Sequence, residues 1–284
     1  MIVVLAGGVG AARFLQGVVQ LVPQEQLTVI VNTGDDRDFY GLHVSPDIDI
    51  VLYTLAGIVD ESHGWGIRND TYHTMQQLTY YGNEDWFLLG DRDLATHIHR
   101  TNLLRQGKTL SEITDDLRAR LHLQLRVLPM SDQLVVTHIQ TPAGLLHFEE
   151  YMVKRGCADE VQDVAFVGAQ AAKPAPGVLD VLKEAEAILI APSNPIVSIG
   201  SILAVPGIHN TLHEAQGMVV AVSPIVGGAP IKGPADKLMR GLGMEVSAVG
   251  VARCYRDFLD VMVIDEQDVH LAERIEDVGI PTVV

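Results

Sequence analysis

The stretch "LAGGVGAARFLQG", Leu5–Gly17, continues an apolar run and carries three glycines, Gly7, Gly8 and Gly10, where a strand would turn into a helix. Glycine reaches positive φ without steric cost and lets the backbone approach a ligand closely. A helix opening near Ala11 would aim its free N–H groups and the positive end of its dipole at an anion. Arg13, one turn in, adds charge. The turn therefore reads as a phosphate seat, the plainer alternative being a tight strand–helix turn with no ligand. A P-loop is excluded, because "GAAR" stands where that motif needs Gly-Lys-Ser/Thr. A dinucleotide fingerprint is disfavoured as well. Gly8 and Gly10 supply its first pair, but Arg13 replaces the third glycine, and the next strand ends in several acids, "VNTGDDRD", not one.

Working outward, short apolar runs recur at 2–7, 27–34, 86–90, 163–168, 187–192, 217–224 and 260–266, and "IPTVV" closes the sequence. Continuous runs without alternation suit strands buried on both faces of a parallel sheet. Helical patterns at Ala11–Leu21, Pro176–Glu186 and Pro234–Leu242 lie between them. The fold class expected is α/β, a Rossmann-like doubly wound and mainly parallel sheet. Residues 92–160 read differently. A helix stopping at Gly107 is followed by a capping box, Thr109 with Glu112, and then by a hairpin turning at Thr141–Gly144. The expected division is a core of 1–91 and 161–284 with a smaller inserted α+β subdomain at 92–160.

The formal net charge of −16 over 284 residues argues against a nucleic-acid binder, which needs a basic face. No apolar run reaches the roughly 20 residues of a membrane span. "MIVVLAGG" lacks the basic start of a signal peptide, and Cys157 and Cys254 form no metal spacing. A cytoplasmic protein is expected. An acidic protein that binds phosphate needs a cation to offset repulsion, and four acids could hold one: Asp35, Asp36, Asp47 and Asp49. Asp47 follows Pro46 and reads as a helix cap, as does Ser45. Asp35 and Asp49 are the preferred Mg²⁺ pair, with Asp36 as their neighbour, and Asp49 is the candidate base.

"LGDRDLATHIHR", 89–100, sets Asp91, Arg92 and Asp93 at a helix start, where one acid caps. His97 and His99, two apart on that helix, face different sides and share no metal. Two later loops, "APSNPIVSIGSIL" and "SPIVGGAPIKGPADKLM", follow buried strands and offer Ser193, Asn194, Ser198, Gly200 and Lys232. With residues 7–10 they would encircle a nucleotide.

The ordered set "GGVGAARFLQG", "VNTGDD", "SPDIDIVLYTLAGI", "GWGIRNDT", "LGDRDLATHIHRTNLLRQG", "LPMSD", "APSNPIVSIGSIL" and "AVSPIVGGAPIKGPADKLM" closely resembles the 2-phospho-L-lactate transferase family. The resemblance runs over nearly the whole chain. It implies a Mg²⁺-dependent, homodimeric enzyme of deazaflavin coenzyme biosynthesis. The donor would be a guanylylated diphosphate of a three-carbon acid, lactyl or enolpyruvyl. The acceptor would be the terminal ribityl hydroxyl of the deazaflavin Fo, and GMP would leave. By resemblance Asp49, Leu88, Gly90 and Asp91 line the acceptor pocket, and Asp35 and Asp49 act at the metal or acceptor. Gly7, Gly8, Gly10, Arg13, Ser193, Asn194, Ser198 and Lys232 hold the donor. An apolar Leu88 departs from the basic residue common there in archaeal relatives, and relatives carry a further helix after "GIPTVV". The rival is the gluconeogenesis-factor type, a nucleotide-sugar-binding regulator. It shares the glycine turn, but "GDDRDFYG" and "GDRDLATH" favour the transferase.

Overall fold

A computed structural model describes residues 1–284. From the N-terminus, β1 (Ile2–Ala6) enters α1 (Gly8–Leu21), and β2 (Leu27–Val31) is followed by a small hairpin of β3 (Arg37–Phe39) and β4 (Leu42–Val44). The helices α2 (Pro46–Leu55), α3 (His73–Tyr80), α4 (Asp91–Arg105) and α5 (Leu110–Arg120) then lead to β5 (Arg126–Pro129). An antiparallel group follows, β6 (Val136–Thr141), β7 (Gly144–His147) and β8 (Asp163–Val167). The chain continues through α6 (Val178–Glu184), β9 (Ala187–Ile190), α7 (Ile199–Leu203), α8 (Ile208–His213) and β10 (Met218–Val222). It ends with a two-stranded ribbon, β11 (Ile225–Val226) and β12 (Ala229–Pro230), then α9 (Ala235–Gly241), α10 (Ala248–Tyr255), β13 (Val261–Val263), α11 (Ala272–Glu276) and β14 (Thr282–Val283).

Seven strands form one parallel sheet in the order β14-β13-β10-β9-β1-β2-β5. Alternate residues of each strand point to opposite faces, and both faces are apolar. Val3, Leu5 and Ile30 pack with α6, α8 and α10, whereas Val4, Ala6, Val29 and Val31 pack with α1, α2 and α5. This three-layered arrangement is a Rossmann-like α/β fold, as the continuous apolar runs predict. The chain moves outward from β1 through β2 to β5, returns to β9 beside β1, and proceeds the other way. The strand order thus reverses between β1 and β9, and the crevice beyond their C-terminal ends is where such sheets bind ligands.

Three local expectations differ from the structure. The run 86–90 is unpaired, and its apolar residues are needed for another reason: Phe87 stacks on Phe39 at 4.0 Å and Leu89 packs with Phe39, Val44, Met75 and Leu94. The run 163–168 belongs to the antiparallel group, where β8 pairs with β6. Residues 126–129, only "RVLP", supply the edge strand of the central sheet next to β2, so the stretch 92–160 contributes to that sheet. The capping box of α5 forms as read, Thr109 and Glu112 each accepting from the other's backbone N–H.

Candidate active site

The glycine turn lies at the reversal point. Gly8 has φ 71°, a conformation that favours glycine, and opens α1. The other two are set by crowding. A Cβ on Gly10 would lie 2.5 Å from the Pro192 carbonyl oxygen, and one on Gly7 would lie 2.6 Å from Ser198 Cβ and 2.9 Å from Asp47 Oδ2. The turn is thus pressed against the loop after β9, whose Ser193 Oγ accepts the Gly7 N–H at 3.2 Å. Asn194 closes that loop on itself, its Oδ1 accepting from the backbone of Ile196 and Val197.

Beneath the turn lies Asn32, fully buried at the end of β2. Its Nδ2 donates to Asp35 Oδ2 at 3.0 Å and to Asp47 Oδ2 at 2.9 Å, while its Oδ1 accepts from the Gly34 N–H and the Ser201 hydroxyl. One amide therefore clamps two carboxylates from different elements. Glu149, just after β7, is buried and adds negative charge that bears on both. Burial and mutual repulsion hold protons on this group. Asp35 is pushed well above the carboxylate range by burial, then by Asp47 and Glu149. Burial raises Asp47 to about 7, against the Asn32 amide and the Gly8 N–H, and raises Glu149 to about 8, helped by Asp47. Asp35 Oδ1 is buried without a hydrogen-bond partner. No three acidic or histidine side chains converge into a ready cation site, and the oxygens a hard divalent cation would call on here are the orphaned Oδ1 of Asp35 and the carboxylate of Asp47.

Asp49, read from the sequence as metal ligand and base, is held in this structure by Arg100. Both of its oxygens take the guanidinium of Arg100, a residue with no exposed surface. Burial works against the charge on Arg100, and Asp49 beside it more than offsets that. Behind the pair, His97 lies 3.6 Å from Asp49 and 3.3 Å from Asp93, and the Tyr53 hydroxyl donates to Asp93 at 2.8 Å. Asp36 is likewise engaged, by His43 at 3.1 Å and by the Ser45 hydroxyl at 2.7 Å. His99 turns away to Asp116, so the two histidines do face different sides.

Asp91, expected beside the acceptor, caps a neighbouring helix. Its oxygens accept from the Thr71 hydroxyl and from the backbone N–H groups of His73 and Thr74, capping α3, and these bonds, the Thr71 hydroxyl first, hold its pKa well below the usual carboxylate range. Asp70 reciprocates on α4, accepting from Arg92 and Asp93 N–H, and a Cβ on Gly90 would lie 2.1 Å from its Oδ2. Leu88 remains 46 % exposed beside this joint.

Arg13 and Lys232 come together on the other flank. The Lys232 ammonium donates to the His63 carbonyl at 3.4 Å beside Gly64, and burial followed by the Arg13 charge depresses its pKa. Arg13, Val9 and Gly64 line a cavity of about 220 Å³ with Gln16, Thr54, Val59 and Glu61. Sequence reasoning missed Asn32, Glu149 and Ser201. Asn32 had a signal, a polar side chain ending a fully apolar strand. Glu149 and Ser201 had none, because only the tertiary fold brings them near Asp35.

The glycine turn, the buried carboxylates and the pair of Arg13 and Lys232 meet where the strand order reverses, the place where doubly wound α/β proteins bind their ligands. The family model 2-phospho-L-lactate transferase CofD matches residues 2–278, and the chain belongs to that family of transferases. It is 48 % identical to the phosphoenolpyruvate transferase of Streptomyces griseus, covering 98 % of this chain and 90 % of that one. It is 44 % identical to the 2-phospho-L-lactate transferase of Methanosarcina mazei, covering 94 % and 87 %. Among solved structures, protein BH3568 from Bacillus halodurans matches with a TM-score of 0.65 over 99 % of this chain and 91 % of that one, at 17 % identity, a likeness of fold. No helix is long and apolar enough to cross a membrane.

Proposed function

We propose that this chain moves a phospho-three-carbon-acid group, 2-phospholactate or phosphoenolpyruvate, from its guanylylated diphosphate to the ribityl hydroxyl of the deazaflavin Fo, releasing GMP. The step belongs to biosynthesis of the deazaflavin coenzyme factor 420. A cytoplasmic homodimer is the form expected. The observation that carries the reading is the clamp of Asp35 and Asp47 on Asn32, directly under the Gly7–Gly10 turn.

In the reaction the acceptor oxygen forms a bond to the phosphorus that carries the acid, the bond from that phosphorus to the GMP oxygen breaks, and the hydroxyl proton passes to water or to the departing GMP phosphate. Such transfer asks the protein for positioning and charge neutralisation more than for covalent chemistry. The α1 N-terminus would hold the diphosphate through its backbone N–H groups, and Ser193 and Ser198 would fix the turn against the β9 loop. Arg13 and Lys232 would take the guanylyl phosphate on the cationic flank. Asp35 and Asp47 would hold Mg²⁺, with Glu149 behind them. When bound, Mg²⁺ would neutralise the diphosphate oxygens and stabilise charge on the departing GMP. Arg100, paired with both oxygens of Asp49, would keep α2 in place, so that Asp47 faces the turn.

Purified protein incubated with Fo, Mg²⁺ and each guanylylated acid, followed by mass spectrometry, tests the proposal. Expected are GMP and one phosphodiester product, both lost on chelation. Nucleotide binding without product for any donor would overturn the transfer and favour the nucleotide-sugar-binding regulator.

A further inference from the structure

Arg37 opens β3, directly after Asp35 and Asp36, and no part of the transfer so far uses it. Its guanidinium lies 5.5 Å from the ring centre of Phe39 and 5.4 Å from that of Trp86. Phe87 stacks on Phe39 and meets Trp86 edge-on, so the platform under the guanidinium is a packed aromatic group. The nearest carboxylate is Glu150, at 3.8 Å, beyond hydrogen-bond length. Nη1 is shut off from solvent and donates to nothing. Buried donors are rarely left unmade, and each one costs stability. The same charge bears on Glu149 and His147, depressing the histidine to about 4 after burial and opposing the upward shift of Glu149. Arg37 is thus a held cation on the hairpin side of the carboxylate clamp.

A guanidinium held beside aromatic rings, with an N–H left unmade, is matched by a planar acceptor with two oxygens, which is a carboxylate. The diphosphate has the glycine turn, and the guanylyl end has Arg13 and Lys232 on the opposite flank, against the 60–66 loop. The remaining anionic group of the donor is the carboxylate of its three-carbon acid. We propose that Arg37 receives that carboxylate and makes the enzyme selective for donors that carry it. The inference rests on the donor reading given above.

The test compares wild type, Arg37→Lys and Arg37→Met by steady-state kinetics with saturating Fo and Mg²⁺. Two donors are used, the guanylylated lactyl or enolpyruvyl diphosphate that the wild type turns over and the same donor with a carboxamide in place of its carboxylate. On the carboxylate donor Arg37→Met is expected to lose about 10- to 100-fold in kcat/KM, mostly through KM, in line with one charge-assisted contact. On the carboxamide donor it should match wild type within about 2-fold, and Arg37→Lys should recover part of the carboxylate activity. Donor affinity measured calorimetrically without Fo should fall in parallel. Equal losses on both donors would place Arg37 on the phosphate or in the scaffold, and unchanged kinetics would remove it from the site; either result overturns the inference while leaving the transfer intact. A wild type that turns over no donor overturns both.

Discussion

Asp47 and Asp49 lie two residues apart at the start of α2, and about 200° of helical rotation separates their side chains. One meets Asn32 below the glycine turn and the other meets Arg100 inside the protein. Their replacements should therefore fail differently. Asp47→Asn is expected to fold normally and to lose the thermal stabilisation by Mg²⁺ together with turnover. Asp49→Asn leaves a buried guanidinium without its counter-charge, a loss of about 3–5 kcal/mol. Urea denaturation with and without Mg²⁺ separates the two, and an Asp49→Asn protein of wild-type stability would contradict the structural role assigned to it. The sequence already shows acids after β2 and before α2, which brackets the site. It does not show which acid faces the crevice, because the deciding partners, Asn32 and Arg100, sit 15 and 51 residues from their carboxylates. Glu149 arrives from still further along the chain and carries no local signature.

At the scale of elements, the turn between β1 and α1 holds two kinds of glycine. Gly8 needs its φ of 71° but has open space around it, the nearest atom to an added Cβ being Asp47 Oδ1 at 3.9 Å. Gly10 has ordinary dihedrals but sits against the Pro192 carbonyl. Gly8→Ala should cost about 1–2 kcal/mol, the usual strain of a left-handed residue. Gly10→Ala should cost more, since backbone on both sides must part and the β1–β9 junction opens with it. Denaturation midpoints of the two variants check the order, and a Gly10→Ala protein more stable than Gly8→Ala would show that the α1–β9 contact is slack. The same elements explain how much of the fold was readable. The central strands at 2–6 and 27–31 are buried on both faces, and those at 187–190 and 218–222 on one face with the other mostly half-buried, so their continuous apolar runs identify them. The edge strand β5 has four residues, too few for a period to show. The run at 86–90 is as apolar as a strand, yet serves as cover for the β3–β4 hairpin. Hydrophobicity reports burial, and only pairing partners decide whether a buried run becomes a strand.

For the whole molecule, 36 acidic residues against 20 basic ones set a net charge of −16, and the most costly part of that excess is the buried group under the turn. Asp47 and Glu149 hold protons up to about 7 and 8 in the folded protein, whereas unfolded carboxylates release theirs near 4. Between those limits these two carboxylates bind more protons in the folded state than in the unfolded one, so their contribution to the stability of the metal-free protein falls as pH rises from about 4 to about 8, opposed up to about 6.5 by the depressed His147. A divalent cation reverses the sign of the problem. It requires the carboxylates deprotonated, so its binding releases protons and strengthens over the same interval. The metal should accordingly matter least in acid and most in mild base. At a Mg²⁺ concentration a hundredfold above its Kd, the melting temperature is expected to rise by about 5 °C near pH 8.5. Near pH 6 the same Mg²⁺ should raise it by much less, because protons already occupy the carboxylates. Thermal melts across this range, with Mg²⁺ and with chelator, read both curves at once. A stabilisation by Mg²⁺ that is equal at both ends would mean that the cation binds away from Asp35, Asp47 and Glu149, at groups already ionised throughout.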